Sequence, residues 1–179
     1  MAYIHIIMGN MFCGKTTELI RQCQRYESIG KRVLVVNHAL DTRCGDAHVS
    51  THTKCTHSAV KVPKLSKLDF AGFDVIAIDE AQFFEDLYDF VKKVESNDIH
   101  VIIAGLDGDY KREKFGEILD CVPLADSVTK LTSFCVRCKN GTLAPFTHRC
   151  DAESNKDVVE VGGSEIYVPL CRKCYVASI

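Results

Sequence analysis

The most constraining feature of the chain is the run Gly9-Asn10-Met11-Phe12-Cys13-Gly14-Lys15-Thr16, which has the spacing G-x-x-x-x-G-K-[ST]. An apolar run over residues 3–8 precedes it, and after it Leu19, Ile20, Cys23 and Tyr26 recur at three- and four-residue spacing. These read as a buried strand and an amphipathic helix. A glycine-rich turn between two such elements aims backbone N–H groups and the positive end of the helix at one point, which makes a seat for phosphate. The candidate ATP-binding residues are therefore Gly9, Asn10, Met11, Phe12, Cys13, Gly14, Lys15 and Thr16, with Thr17 in the first helical turn. Lys15 would neutralise the β and γ phosphates, and the Thr16 hydroxyl would coordinate Mg²⁺.

The pattern around this loop continues in the same style. The first helix is expected to end at Gly30, and residues 33–36, 74–78 and 101–106 read as further buried strands. Residues 84–95 form a helix in which Leu87, Phe90, Val91 and Val94 make one stripe. Shorter elements are expected near 115–119 and 127–131, and residues 37–68 read as mainly loop. Strands alternating with helices imply an α/β fold, an open and mostly parallel sheet with helices on its faces. At the end of the third strand stand Asp79 and Glu80. A loop of this kind needs an acid at the end of a neighbouring strand to hold the metal, so Asp79 is the Mg²⁺ candidate beside Thr16. Glu80 is the candidate general base.

Beyond residue 132 the rhythm changes. The chain has ten cysteines; six are scattered, and four form the pairs Cys135/Cys138 and Cys171/Cys174, separated by 32 residues. Two Cys-x-x-Cys knuckles read as a closed, structural Zn²⁺ site of four thiolates. The expected division is thus a nucleotide-binding core over 1–132 and a zinc-ribbon domain over 133–179 bearing a long lid loop. Formal charge is only −2, and the ribbon's Arg137, Lys139, Arg172 and Lys173 are balanced by acids. No nucleic-acid partner is expected on that ground. The longest apolar runs are too short to cross a bilayer, and the N-terminus lacks a secretory pattern. A cytoplasmic protein without membrane attachment or a long terminal tail is expected. Cys13, in the loop near a helix N-terminus, has two readings: a thiol with a lowered pKa that reacts with alkylating agents, or a small buried thiol without reactivity, the second being favoured.

With these residues in view, the chain resembles the type II thymidine kinase family. The resemblance is carried by the Gly9–Lys15 run with Met11-Phe12 inside it, Asp41-Thr42-Arg43, Asp79-Glu80-Ala81-Gln82-Phe83-Phe84, Leu106-Asp107-Gly108, Phe115-Gly116, both cysteine pairs, and Gly162-Gly163 before Tyr167. It implies transfer of the ATP γ-phosphoryl group to the 5′-hydroxyl of thymidine or deoxyuridine with Mg²⁺, which supplies dTMP for DNA synthesis. It also implies a homotetramer and a dTTP feedback inhibitor. By position, Glu80 is the base, Arg43 and Lys15 stabilise developing charge, and Asp41 orients Arg43 or binds metal water. Met11, Phe83, Leu106, Tyr110 and Phe115 would line the base pocket, with Thr147, Val158, Gly162 and Tyr167 from the lid. Asn10, Cys13, Tyr110 and Lys114 depart from the residues usual there. The competing reading is a P-loop ATPase whose zinc ribbon grips nucleic acid and whose Glu80 activates water.

Overall fold

The structure, a computed structural model, describes residues 1–41, 48–50, 56–150 and 166–178. In chain order it runs β1 (Tyr3–Gly9), α1 (Lys15–Glu27), β2 (Val33–His38), β3 (His48–Ser50), β4 (Thr56–Ser58), β5 (Val60–Val62), β6 (Val75–Ile78), α2 (Leu87–Val94), β7 (His100–Gly105), β8 (Ser127–Leu131), β9 (Ser133–Phe134), β10 (Leu143–Ala144), β11 (Phe146–Arg149), β12 (Tyr167–Leu170) and α3 (Arg172–Val176). Six strands form one sheet in the order β5-β2-β6-β7-β1-β8, and each of its pairings is parallel.

The four inner strands β2, β6, β7 and β1 are largely buried on both faces, which is why they read as near-continuous apolar runs, whereas the edge strands β5 and β8 are half-exposed. Side chains alternate across the sheet. Ile4, Ile6, Leu34, Val36, Ile76, Ile78, Val101 and Ile103 pack with Leu87, Phe90, Val91 and Val94 of α2, whereas Ile7, Val35, Val75, Ala77, Ile102 and Ala104 pack with Leu19, Ile20 and Cys23 of α1. No helix among the described residues is long and apolar enough to cross a membrane.

Several boundaries differ from the sequence expectation, among them the end of α1, which closes at Glu27 and not at Gly30. The second helix begins at Leu87, not residue 84, because Glu80 sits at φ 51 and Phe84 is extended, so a short 3-10 turn at Ala81–Phe83 comes first. β7 stops at Gly105, since Leu106 donates its N–H to the Gln82 side chain at 3.0 Å in place of a strand partner. Residues 116–121 are turns and form no regular element.

In the cysteine-bearing region β9 pairs with β10 and β11 with β12, both antiparallel. Their small core holds Cys135, Ala144, Leu170, Cys171 and Tyr175. Tyr175 Oη also donates to the carbonyl of Tyr110 at 2.5 Å, which ties this region to the segment after β7.

Candidate active site

Because the sheet is parallel, the carboxyl ends of its strands share one edge, where doubly wound folds gather their ligands. Gly9 ends β1 there, and it must be glycine: its φ is +152, and a Cβ would stand 2.2 Å from the Leu131 carbonyl oxygen. Gly14, at φ 87, turns the chain into α1. Within the loop the Lys15 ammonium donates to the Asn10 carbonyl at 2.8 Å and lies 3.8 Å from Cys13 Sγ. Thr17 follows in the first turn of α1.

Asp79 and Glu80 follow β6 directly. β6 is not the neighbour of β1, as the sequence reading had it, because β7 lies between them. Asp79 still spans the gap: Thr16 Oγ1 donates to Asp79 Oδ2 at 3.0 Å and stands 3.3 Å from Oδ1. A hydroxyl and a buried carboxylate in contact at the head of α1 are a donor set suited to a hard cation such as Mg²⁺. Glu80 follows in the left-handed region, and Gln82 Nε2 donates to its Oε2 at 2.6 Å.

The other candidates fall into recognisable groups. Met11 N–H donates to Thr147 Oγ1 at 3.0 Å. The rings of Phe83 and Phe115 meet edge to face with centroids 5.8 Å apart. Leu106 is joined through Gln82 to Glu80. Arg149 lies over the Tyr110 ring at 5.6 Å and is in register with Tyr167 across β11 and β12. Asp41 is buried, and its Oδ2 accepts from Asn37 Nδ2 at 2.9 Å. Arg43, Val158 and Gly162 lie outside the described residues.

Of the two readings of Cys13, the electrostatics favour the buried thiol. Burial pushes its thiol up, and the nearby Lys15 ammonium opposes this without overcoming it. A helix N-terminus lowers a thiol pKa only where solvent or a cation can complete the solvation of the thiolate.

The sulfurs of Cys135, Cys138, Cys171 and Cys174 lie within 4.8 Å of one another, with Cys138 3.5 Å from Cys174 and 3.8 Å from Cys171. Four sulfurs at about 2.3 Å from a tetrahedral Zn²⁺ stand roughly 3.8 Å apart. Burial raises the Cys135 thiol, yet the backbone N–H donors of Cys171, Cys138 and Arg137 outweigh it and bring it down to about 6. Neighbouring sulfurs push the Cys174 thiol the other way, so the fit to such an ion rests on the spacing of the four sulfurs.

Sequence reasoning gave no role to Gln82, Asn37 or Ser133. Gln82 could have been noticed, being a polar residue between the apolar Ala81 and Phe83. Ser133 carries no local signal, since its partner Met11 lies 122 positions away, and Asn37 meets Asp41 four residues on through the turn that follows β2.

A family model described as thymidine kinase matches residues 2–175. The chain belongs to the thymidine kinase family. It is 44% identical over 182 residues to the thymidine kinase of Oryza sativa subsp. japonica, covering 97% of this chain and 66% of that protein. It is 41% identical over 174 residues to the cytosolic thymidine kinase of Gallus gallus, covering 96% of this chain and 76% of that protein. To the thymidine kinase of Variola virus it is 38% identical over 178 residues, covering 98% of each. This family membership favours the kinase reading of the sequence over the nucleic-acid ATPase.

Proposed function

We propose that the chain transfers the γ-phosphoryl group of ATP to the 5′-hydroxyl of thymidine or deoxyuridine. The observation that carries the reading is the contact of Thr16 with Asp79, 3.0 Å apart, with Glu80 as the next residue. One loop-and-strand edge thus holds an anion seat, a cation seat and a base, the parts that phosphoryl transfer to an alcohol needs.

In this reading the N–H groups of the Gly9–Thr16 loop and the start of α1 hold the phosphates, and Lys15 offsets their charge. Thr16 and Asp79 hold Mg²⁺, which when bound neutralises charge on the phosphate oxygens. Glu80 takes the proton of the attacking hydroxyl. Arg43 supports the transferring group, and Asp41 orients Arg43 or binds metal water, both by resemblance. The pyrimidine packs against Met11, Phe83, Leu106, Tyr110 and Phe115, and Thr147, Val158, Gly162 and Tyr167 close over it from the cysteine-bearing side. The four cysteines hold Zn²⁺ as a structural brace for that lid. The division near residue 132, the homotetramer, dTTP feedback and a cytoplasmic location belong to the same reading.

The test is transfer from labelled ATP with Mg²⁺ to thymidine, deoxyuridine, deoxycytidine, deoxyadenosine and deoxyguanosine, with a no-acceptor control and a DNA-stimulated one. Phosphorylation of thymidine and deoxyuridine supports the proposal. Phosphate release without an acceptor, or only with DNA, overturns it. Glu80→Gln should lower transfer by about 10²–10⁴-fold while ATP binding persists.

A further inference from the structure

Gln82 is 3% exposed, yet it carries a polar amide into the turn between β6 and α2. Its two ends are both engaged. Nε2 donates to Glu80 Oε2 at 2.6 Å, and Oε1 accepts from the Leu106 backbone N–H at 3.0 Å. The orientation of the amide is dictated by chemistry: Leu106 presents a donor and Glu80 a carboxylate, so the reverse placement would set donor against donor and acceptor against acceptor.

The surrounding backbone holds this side chain closely. At Gly116, φ 63, a Cβ would lie 2.3 Å from the Gln82 carbonyl oxygen, and at Gly105 it would lie 2.6 Å from Gln82 Oε1. Two chain segments thus approach Gln82 at distances that only glycine allows. Glu80 meanwhile has a left-handed backbone, φ 51, a conformation that persists in a non-glycine residue when its surroundings over-determine it.

We propose that Gln82 is a positioning residue for the reaction: its amide holds the Glu80 carboxylate in place by bracing it against the Leu106 backbone. This rests on the reading of Glu80 as the base. Leu106 is also a candidate wall of the base pocket, so the amide couples the place where the pyrimidine packs to the group that takes the proton. Misplacing a reacting group by about 1 Å can slow a reaction by about 10²-fold, so the brace acts on kcat.

Gln82→Glu and Gln82→Met separate this role from a merely structural one. Gln82→Glu keeps the acceptor for Leu106 and removes the donor to Glu80; Gln82→Met removes both. With thymidine, ATP and Mg²⁺, the expected result for Gln82→Glu is a kcat at least about 10-fold below wild type at pH 8, with thymidine Kd within about twofold. That deficit should shrink as pH falls toward about 5.5, because the introduced carboxyl gains a proton and can donate to Glu80 as the amide did. For Gln82→Met the kcat loss should be the same at every pH. A Gln82→Glu kcat within twofold of wild type overturns the role, as does a loss of equal size at every pH together with a lowered melting temperature. Wild-type protein that fails to phosphorylate thymidine strikes the proposed function itself, whereas active wild type beside an equally active variant strikes only Gln82.

Discussion

The backbone N–H of Met11 donates to the hydroxyl of Thr147 at 3.0 Å, joining the Gly9–Thr16 loop to β11. The opposite face of the same residue is held as well, since the Met11 carbonyl accepts from Ser133 Oγ and Asn10 Nδ2, each at 2.9 Å. The loop is therefore clamped by residues on the cysteine-bearing side of position 132. Thr147→Val leaves the Met11 N–H without this acceptor and should destabilise the protein by about 1–3 kcal/mol. Thermal melting should show a fall of roughly 2–4 °C per kcal/mol, with Thr147→Ser close to wild type.

Asp79 meets Thr16 through both carboxylate oxygens. Asp79→Asn keeps the shape and removes the charge a divalent cation needs. Activity at fixed Mg²⁺ should drop at least about 100-fold, and a Mg²⁺ titration should saturate at higher concentration. An unchanged titration would remove Asp79 from the metal site.

For the four cysteines, purified protein should hold about one Zn²⁺ per chain by elemental analysis. Chelation should cost amide protection first in 133–150 and 166–176, read by hydrogen exchange, while β1, β6 and β7 keep theirs. Simultaneous loss from both regions would count against the division near 132.

Asp86 accepts from the backbone N–H groups of Leu65 at 3.1 Å and Ser66 at 2.8 Å. Burial pushes its carboxyl up, but these donors outweigh burial and hold it below the usual carboxylate range. A carboxyl depressed in the folded state gives stability that is fully present above its unfolded value of about 3.9 and is lost as pH falls through the folded value. Asp86→Ala should therefore cost about 1–2 kcal/mol at pH 7. The gap in denaturant midpoint to wild type should narrow in acid, as pH falls through the lowered folded value.

Much of the core was legible because its signals are local. The strands at residues 3–8, 33–36, 74–78 and 101–106 are short apolar runs, buried on both faces of the sheet, and they emerged within a residue or two at each end. The stripe Leu87, Phe90, Val91 and Val94 repeats with the helical turn and is wholly buried. The α2 start was not legible, since the left-handed Glu80 and extended Phe84 delay the helix and neither residue type announces that backbone. For Cys13 the sequence left two readings open, because the loop motif places the thiol near a helix N-terminus but does not say how far folding buries it.

By itself the sequence determined the phosphate-type loop, the carboxylates at the end of an apolar strand, and the two knuckles that can share one ion. The loop, the carboxylate pair and each single knuckle depend on spacings of a few residues, which chain geometry turns directly into proximity; the two knuckles meet across 33 positions only through the fold. Only the tertiary structure decided that Asp79 reaches Thr16 across an intervening strand, that Gln82 braces Glu80 on Leu106, and that Ser133 and Thr147 clamp Met11. Those contacts join residues 63, 24, 122 and 136 positions apart. No local propensity encodes such separations; strand order and the packing of two regions create them.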